Sequence, residues 1–309
     1  MKQTVLTFVL ALIAQLLLAQ PQGGFQMPEN NATFKDVNYA GDDLEAHRLD
    51  IYLPATYKAG DSQKYKVVVA IYGSAWFSNN MKMFGYMSVG KPLVDAGFAV
   101  VSINHRSSGD AKFPAQIQDV KAAIRFIRAH AAEYHLDTSF IGVTGFSSGG
   151  HLSSLAGVTN GVGKCTVGQT TVDFEGTVGG NTDYKSTVDA VVDWFGPVDM
   201  AHMENCETVK DGNSPEAALI GGAPADNPDL VALISPITFV NCTVPRFLVI
   251  HGDADNVVPH CQGVIFSNAL NGVGRLEKFI SVPGGQHGPV TFNEDTFRQM
   301  TDFFLKESE

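Results

Sequence analysis

The chain has 309 residues, 44% hydrophobic and 17% charged, enough to bury the core of one large domain and too apolar for a disordered chain. Its formal charge of −11 and pI of about 5.2 come from dispersed acids with no Lys/Arg stripe. That pattern argues against nucleic acid as a partner, because nothing would neutralise its phosphates.

Lys2 precedes an apolar run over residues 5–18, broken only by Thr7 and Gln15, and Ala19-Gln20-Pro21-Gln22-Gly23-Gly24 follows. A membrane-crossing helix needs about 20 apolar residues. A shorter run, closed by a small residue and a polar Pro/Gly tail, reads as a signal peptide over residues 1–19, cleaved after Ala19. The expected location is therefore secreted or periplasmic, without stable membrane insertion once the segment is removed; the rival is an uncleaved anchor.

Alternation in residues 48–53, stopped by Pro54, predicts an antiparallel strand with one wet face. Residues 67–72 and 98–103 are continuous apolar runs and read as buried strands, the first ending in Gly73-Ser74-Ala75-Trp76. Ile117, Val120, Ile124, Ile127 and Ala131 fall at helical spacing in residues 115–134, with Asp119, Lys121, Arg125 and Arg128 expected on a solvated face. A strand at 140–144 leads into Gly145-Phe146-Ser147-Ser148-Gly149 and then a helix-like segment, 150–156. Residues 157–187, rich in Gly and Thr, read as an irregular insertion. Further strands are expected at 188–195, 244–251 and 276–282, and a closing helix at 292–305 with Phe297, Met300, Phe303 and Phe304 facing the core. With no repeat or linker, this alternation predicts one α/β domain over residues 34–306.

Serine is a weak nucleophile at its free pKa and must be presented, typically at a sharp strand-to-helix turn whose helix N-terminus faces the developing oxyanion. The 140–156 segment supplies that context, which makes Ser147 the candidate nucleophile. Asp255 follows the strand ending near His251, and His287 follows the strand ending near Val282. In an open α/β sheet these strand ends share one edge, so the three residues can converge in the order nucleophile, acid, histidine. Asp253 competes with Asp255, but the H-G-x-x-D-x-x-V-P spacing favours Asp255; Asp199 is a backup. His151, in the first turn of the elbow helix, reads as a packed, hydrogen-bonded residue rather than a proton shuttle. Trp76, Phe77 and Tyr86 could line an aryl or sugar site or simply pack.

Four cysteines in an exported chain permit disulfides. Cys242 and Cys261 flank one strand and would stand roughly 20 Å apart at ~3.3 Å per residue, beyond the ~7 Å reach of a bridge. Topology then favours Cys206–Cys261 with Cys165–Cys242, the alternative being free thiols. The spacing fits no zinc motif, and no metal or organic cofactor is expected.

The run from Ile103-Asn104-His105-Arg106 to Arg125, the Gly145–Leu152 elbow, Val192-Asp193-Trp194-Phe195-Gly196-Pro197 and Ser214-Pro215-Glu216 resemble the bacterial feruloyl-esterase-like branch of the α/β-hydrolases. The likeness runs from about Val37 to Phe304. It implies a mostly parallel twisted sheet of about eight strands with helices on both faces, and a carboxylic-ester hydrolase, several relatives acting on acetyl or feruloyl decorations of plant polysaccharide. Lipases and esterases commonly carry an H-G-G-G oxyanion loop where this chain has Tyr72-Gly73-Ser74-Ala75. The backbone N–H groups of Ser74, Ala75 and Ser148 are thus the expected oxyanion donors, the Ser74 hydroxyl being a further candidate. The chain departs from the branch at this loop, at Ser148, where Ala is usual, and at His105, where Tyr is usual. The expected partner is a small-molecule or carbohydrate ester. A serine peptidase-like hydrolase and a catalytically silent binding protein are the alternatives.

Overall fold

The computed structural model describes residues 29–60, 62–203, 206 and 212–309. The expected signal peptide and its cleavage point lie outside these residues.

Ten strands are described: β1 (Phe34–Asn38), β2 (Arg48–Tyr52), β3 (Tyr65–Ile71), β4 (Ala99–Ile103), β5 (Leu136–Phe146), β6 (Lys164–Val167), β7 (Thr170–Asp173), β8 (Ala190–Trp194), β9 (Arg246–Gly252) and β10 (Leu276–Val282). The α-helices are α1 (Lys82–Gly85), α2 (Lys91–Asp95), α3 (Ala115–Ala129), α4 (Ser148–Val158), α5 (Pro215–Ile220), α6 (Pro228–Ile234), α7 (Cys261–Gly272) and α8 (Glu294–Glu307). Eight strands form one sheet in the order β1-β2-β4-β3-β5-β8-β9-β10. Within this sheet only the β1–β2 and β2–β4 pairs are antiparallel.

A parallel strand buried on both faces must be apolar at successive positions, and β3 shows why. Val67, Val69 and Ile71 enter one core, whereas Val68, Ala70 and the following Tyr72 enter the other. Residues of α3, α4 and α7 complete the first core; Leu93 of α2 and Met300, Phe303 and Phe304 of α8 complete the second. The resulting fold is an α/β-hydrolase fold.

Three expectations need correction. The helix expected to reach residue 134 stops at Ala129, because the chain must reverse through His135, at a φ of 58°, to start β5 at Leu136 beside Tyr65. Residues 157–187 hold a two-stranded hairpin, β6–β7, instead of being irregular throughout. The supposed solvated face of α3 is buried: Asp119 and Lys121 are 0% exposed and Arg125 is 2%.

Residues between α4 and β8 cover that face and supply its counter-charges. Lys121 donates to Glu175 Oε1 and to the Thr159 carbonyl, both at 2.8 Å, and Arg125 reaches Glu175 Oε2 at 2.9 Å. Asp119 is chelated by Arg106, with its Oδ1 2.6 Å from Nη2. Buried charges survive where partners satisfy their hydrogen bonds, and those of Lys121 and Arg125 come from distant sequence.

Cys206 and Cys261 are joined by a disulfide, with 6.2 Å between their Cα atoms. Cys165 and Cys242 are free. The expected Cys165–Cys242 bridge fails because Cys165 is carried on β6, opposite Val172, in the hairpin packed against α6, while Cys242 sits exposed in the turn before β9.

Candidate active site

The β5–α4 turn is built by close backbone approach. Ser147 adopts φ 56° and ψ −126°, a conformation that costs a non-glycine residue energy and turns its side chain out of the strand direction. A Cβ on Gly145 would lie 2.4 Å from the Gly149 carbonyl oxygen, and one on Gly149 would lie 2.2 Å from that of Ile71. Glycine is therefore required at both positions by space. Ser147 N–H donates to the Trp194 carbonyl at 3.0 Å, tying the turn to β8.

The structure brings Ser147, His287 and Asp255 into one hydrogen-bonded chain. His287 Nε2 lies 2.9 Å from Ser147 Oγ, and His287 Nδ1 lies 2.7 Å from Asp255 Oδ2. The Asp255 side chain is fully buried, and its Oδ1 accepts the N–H groups of Val257 and Val258 at 2.8 and 2.9 Å. Burial alone would raise the Asp255 carboxyl, but the hydrogen bonds from His287 and the Val257 N–H outweigh it, so its pKa is lowered. An ionised carboxylate only accepts, so Nδ1 of His287 carries the proton and Nε2 presents its lone pair to the Ser147 hydroxyl.

The competing acids stand elsewhere. Asp253 Oδ1 accepts the Gly284 N–H at 2.7 Å, and Asp199 pairs with His202 at 2.8 Å. His251, given no role from sequence, holds the acid loop by donating from Nε2 to the Val258 carbonyl at 3.0 Å. Its burial pushes its pKa down to about 4, so it stays neutral there.

The oxyanion side departs from expectation. Ser74 N–H donates to the Ser148 hydroxyl at 2.8 Å, so it is not a direct donor to the site, and Ser74 Oγ accepts from Ser78 N–H at 3.3 Å. Among the described residues, no protein acceptor takes the N–H of Ala75 or of Ser148, which opens α4. Ala75 and Trp76 both adopt positive φ, 49° and 60°, which turns this loop sharply past the elbow.

Trp76 is a packing residue rather than a wall for substrate. It is 2% exposed, and its indole N–H donates to His151 Nδ1 at 3.2 Å, while His151 Nε2 donates to the Ile234 carbonyl at 2.8 Å. Burial pushes the His151 pKa down to about 4, keeping the neutral tautomer that this bridge needs. Tyr86 stacks on Tyr52 with centroids 3.5 Å apart.

Two departures noted in the sequence lie face to face. Tyr72 and His105 stack with centroids 4.8 Å apart, and Tyr72 Oη donates to the Ser78 carbonyl at 3.0 Å, spanning the Gly73–Phe77 loop.

Asp193 was missed as a contributor, although an acid within the apolar run of β8 was the available signal. It accepts the Ser154 hydroxyl and the Gly196 N–H, both at 2.8 Å, against the first turn of α4. Burial raises its pKa from 3.8 to about 6. A carboxyl with a raised folded pKa holds its proton more tightly in the folded state. Its stabilising contribution is therefore full below about 3.8 and is lost as pH rises through about 6. Asp193→Asn keeps the shape and removes this dependence. Denaturant titrations should show the stability of the variant relative to wild type rising by about 3 kcal/mol between pH 4 and pH 7.5, at about 1.4 kcal/mol per pKa unit. A constant difference would show that Asp193 does not titrate in this range.

Comparison with known proteins follows the same lines. Esterase LipQ of Mycobacterium tuberculosis is 30% identical over 242 residues, covering 77% of this chain and 53% of LipQ, so the chain spans about half the length of that curated relative. Among solved structures, the bifunctional GH43-CE of Bacteroides eggerthii is 64% identical with a TM-score of 0.87, over 92% of this chain and 36% of that one. A truncated form of a carbohydrate esterase from gut microbiota is 58% identical with a TM-score of 0.87, over 91% of this chain and 98% of that one. The BD-FAE family model matches residues 49–270, most of the described sheet together with the elbow and Asp255, and the chain belongs to the BD-FAE family.

Proposed function

We propose that this protein is a serine carboxylic-ester hydrolase that removes acyl groups, acetyl or feruloyl, from plant oligosaccharide or polysaccharide outside the cytoplasm. The observation that carries the chemistry is the continuous chain Asp255–His287–Ser147 at 2.7 and 2.9 Å, ending on a serine held in a strained turn.

The steps follow from the geometry. As Ser147 Oγ bonds to the ester carbonyl carbon, its proton passes to His287 Nε2 and the carbonyl π electrons move onto oxygen. The N–H groups of Ala75 and Ser148 stabilise that alkoxide, and Asp255 stabilises the imidazolium. Collapse expels the alcohol, which takes the proton from Nε2. Water, activated by the same nitrogen, then repeats the sequence on the acyl-enzyme and releases the acid.

Two findings support the substrate class: a carbohydrate esterase among the similar structures, at 58% identity, and the N-terminal apolar run that reads as an export signal. Among the described residues, no helix is long and apolar enough to cross a membrane. Mature protein should hydrolyse acetylated xylan oligosaccharides or methyl ferulate with a kcat/KM at least about tenfold above that for tributyrin or longer triglycerides, a ratio that compares transition-state binding. Preference for the triglycerides would reject the carbohydrate ester while leaving the serine mechanism standing. Material recovered outside the cytoplasm should begin at Gln20, and retention in the cytoplasm with Met1 intact would reject export.

A further inference from the structure

We propose that the Ser148 side-chain hydroxyl is a third oxyanion donor, passing the polarisation of the Ser74 N–H through to the developing charge. This deepens the serine-hydrolase reading and rests on it.

A hydroxyl has one proton to give and two lone pairs to accept with. Ser148 Oγ accepts the Ser74 N–H at 2.8 Å, and among the described residues nothing accepts its proton. The residue is 1% exposed, so bulk water does not satisfy that proton. Ser148 directly follows the nucleophile in sequence. Gly73 packs against the elbow, since a Cβ there would lie 2.7 Å from the Ser147 Cβ. The Ser74 N–H therefore holds the hydroxyl between the Gly73–Phe77 loop and the elbow, one residue along the chain from Ala75.

Accepting one hydrogen bond strengthens a hydroxyl as a donor of the next. An unspent buried proton is costly in the resting protein and gains most when an anion forms beside it, the condition for a preorganised oxyanion donor. The same arrangement accounts for Ser74: its N–H does not face the site directly but acts through Ser148. Alanine at position 148 would lack this hydroxyl and leave the Ser74 N–H without its acceptor.

The test compares Ser148→Ala and Ser148→Thr with wild type. Four quantities are measured: kcat and KM for p-nitrophenyl acetate, affinity for phenylboronic acid, whose adduct on Ser147 places an anionic oxygen in the site, and melting temperature. The proposal expects kcat of Ser148→Ala to fall by about 10–100-fold with KM within about twofold. The boronate should weaken by a similar factor, the melting temperature should hold, and Ser148→Thr should recover most of the loss. Unchanged kcat in Ser148→Ala overturns the proposal. A parallel loss of substrate and boronate binding, or a fall in kcat that tracks melting temperature and is not recovered by Thr, also overturns it by showing that the hydroxyl only holds the loop. Failure of the underlying reading looks different: wild-type protein would then resist a fluorophosphonate probe altogether.

Discussion

Ser147→Ala and His287→Ala should each reduce hydrolysis of a short p-nitrophenyl ester by on the order of 10⁴-fold or more, because nucleophile and base act as a unit and losing either leaves only the oxyanion donors and binding. Both side chains are buried, and neither is part of the main apolar clusters, so the variants should fold; a melting curve beside each rate measurement checks this. A folded variant that keeps a tenth of the wild-type rate would remove Ser147 or His287 from the mechanism.

The second large effect separates two carboxylates two residues apart. Asp255→Asn should cost on the order of 10³–10⁴ in kcat, since an amide in place of Oδ2 can donate to Nδ1 and so favour the tautomer whose Nε2 is already protonated. Asp253→Asn should cost far less: Asp253 is exposed and, among the described residues, its carboxylate holds the Gly284 N–H alone. The reverse ranking would transfer the acid role to Asp253.

Much of this site could be read in the sequence because its chemistry is local. A strand, a glycine-flanked serine and a helix in direct succession define a turn, and an acid and a histidine just beyond two later strands must emerge on the same sheet edge. The Ser74–Ser148 contact could not be read this way. It depends on register: β3 and β5 pair Ile71 with Gly145, an offset of 74 residues that the loop and the elbow continue beyond the strands. Periodicity within one segment says nothing about the alignment of two.

The charged face of α3 misled for a related reason. Periodicity separates polar from apolar sides but assumes that the polar side meets water. Here it meets Glu175 and the carbonyls of Thr159 and Val178. The same residue types therefore describe a buried ion cluster.

The Tyr72–His105 stack ties two distant segments of the chain to one loop. The rings are in contact and both residues are fully buried, so a substitution at one is felt at the other. Tyr72→His alone would set two imidazoles face to face in a buried site and release the Ser78 carbonyl, while His105→Tyr alone would crowd two phenols into the same space. Through the Tyr72 hydroxyl on the Ser78 carbonyl, a change at either ring reaches the Gly73–Phe77 loop beside the nucleophile.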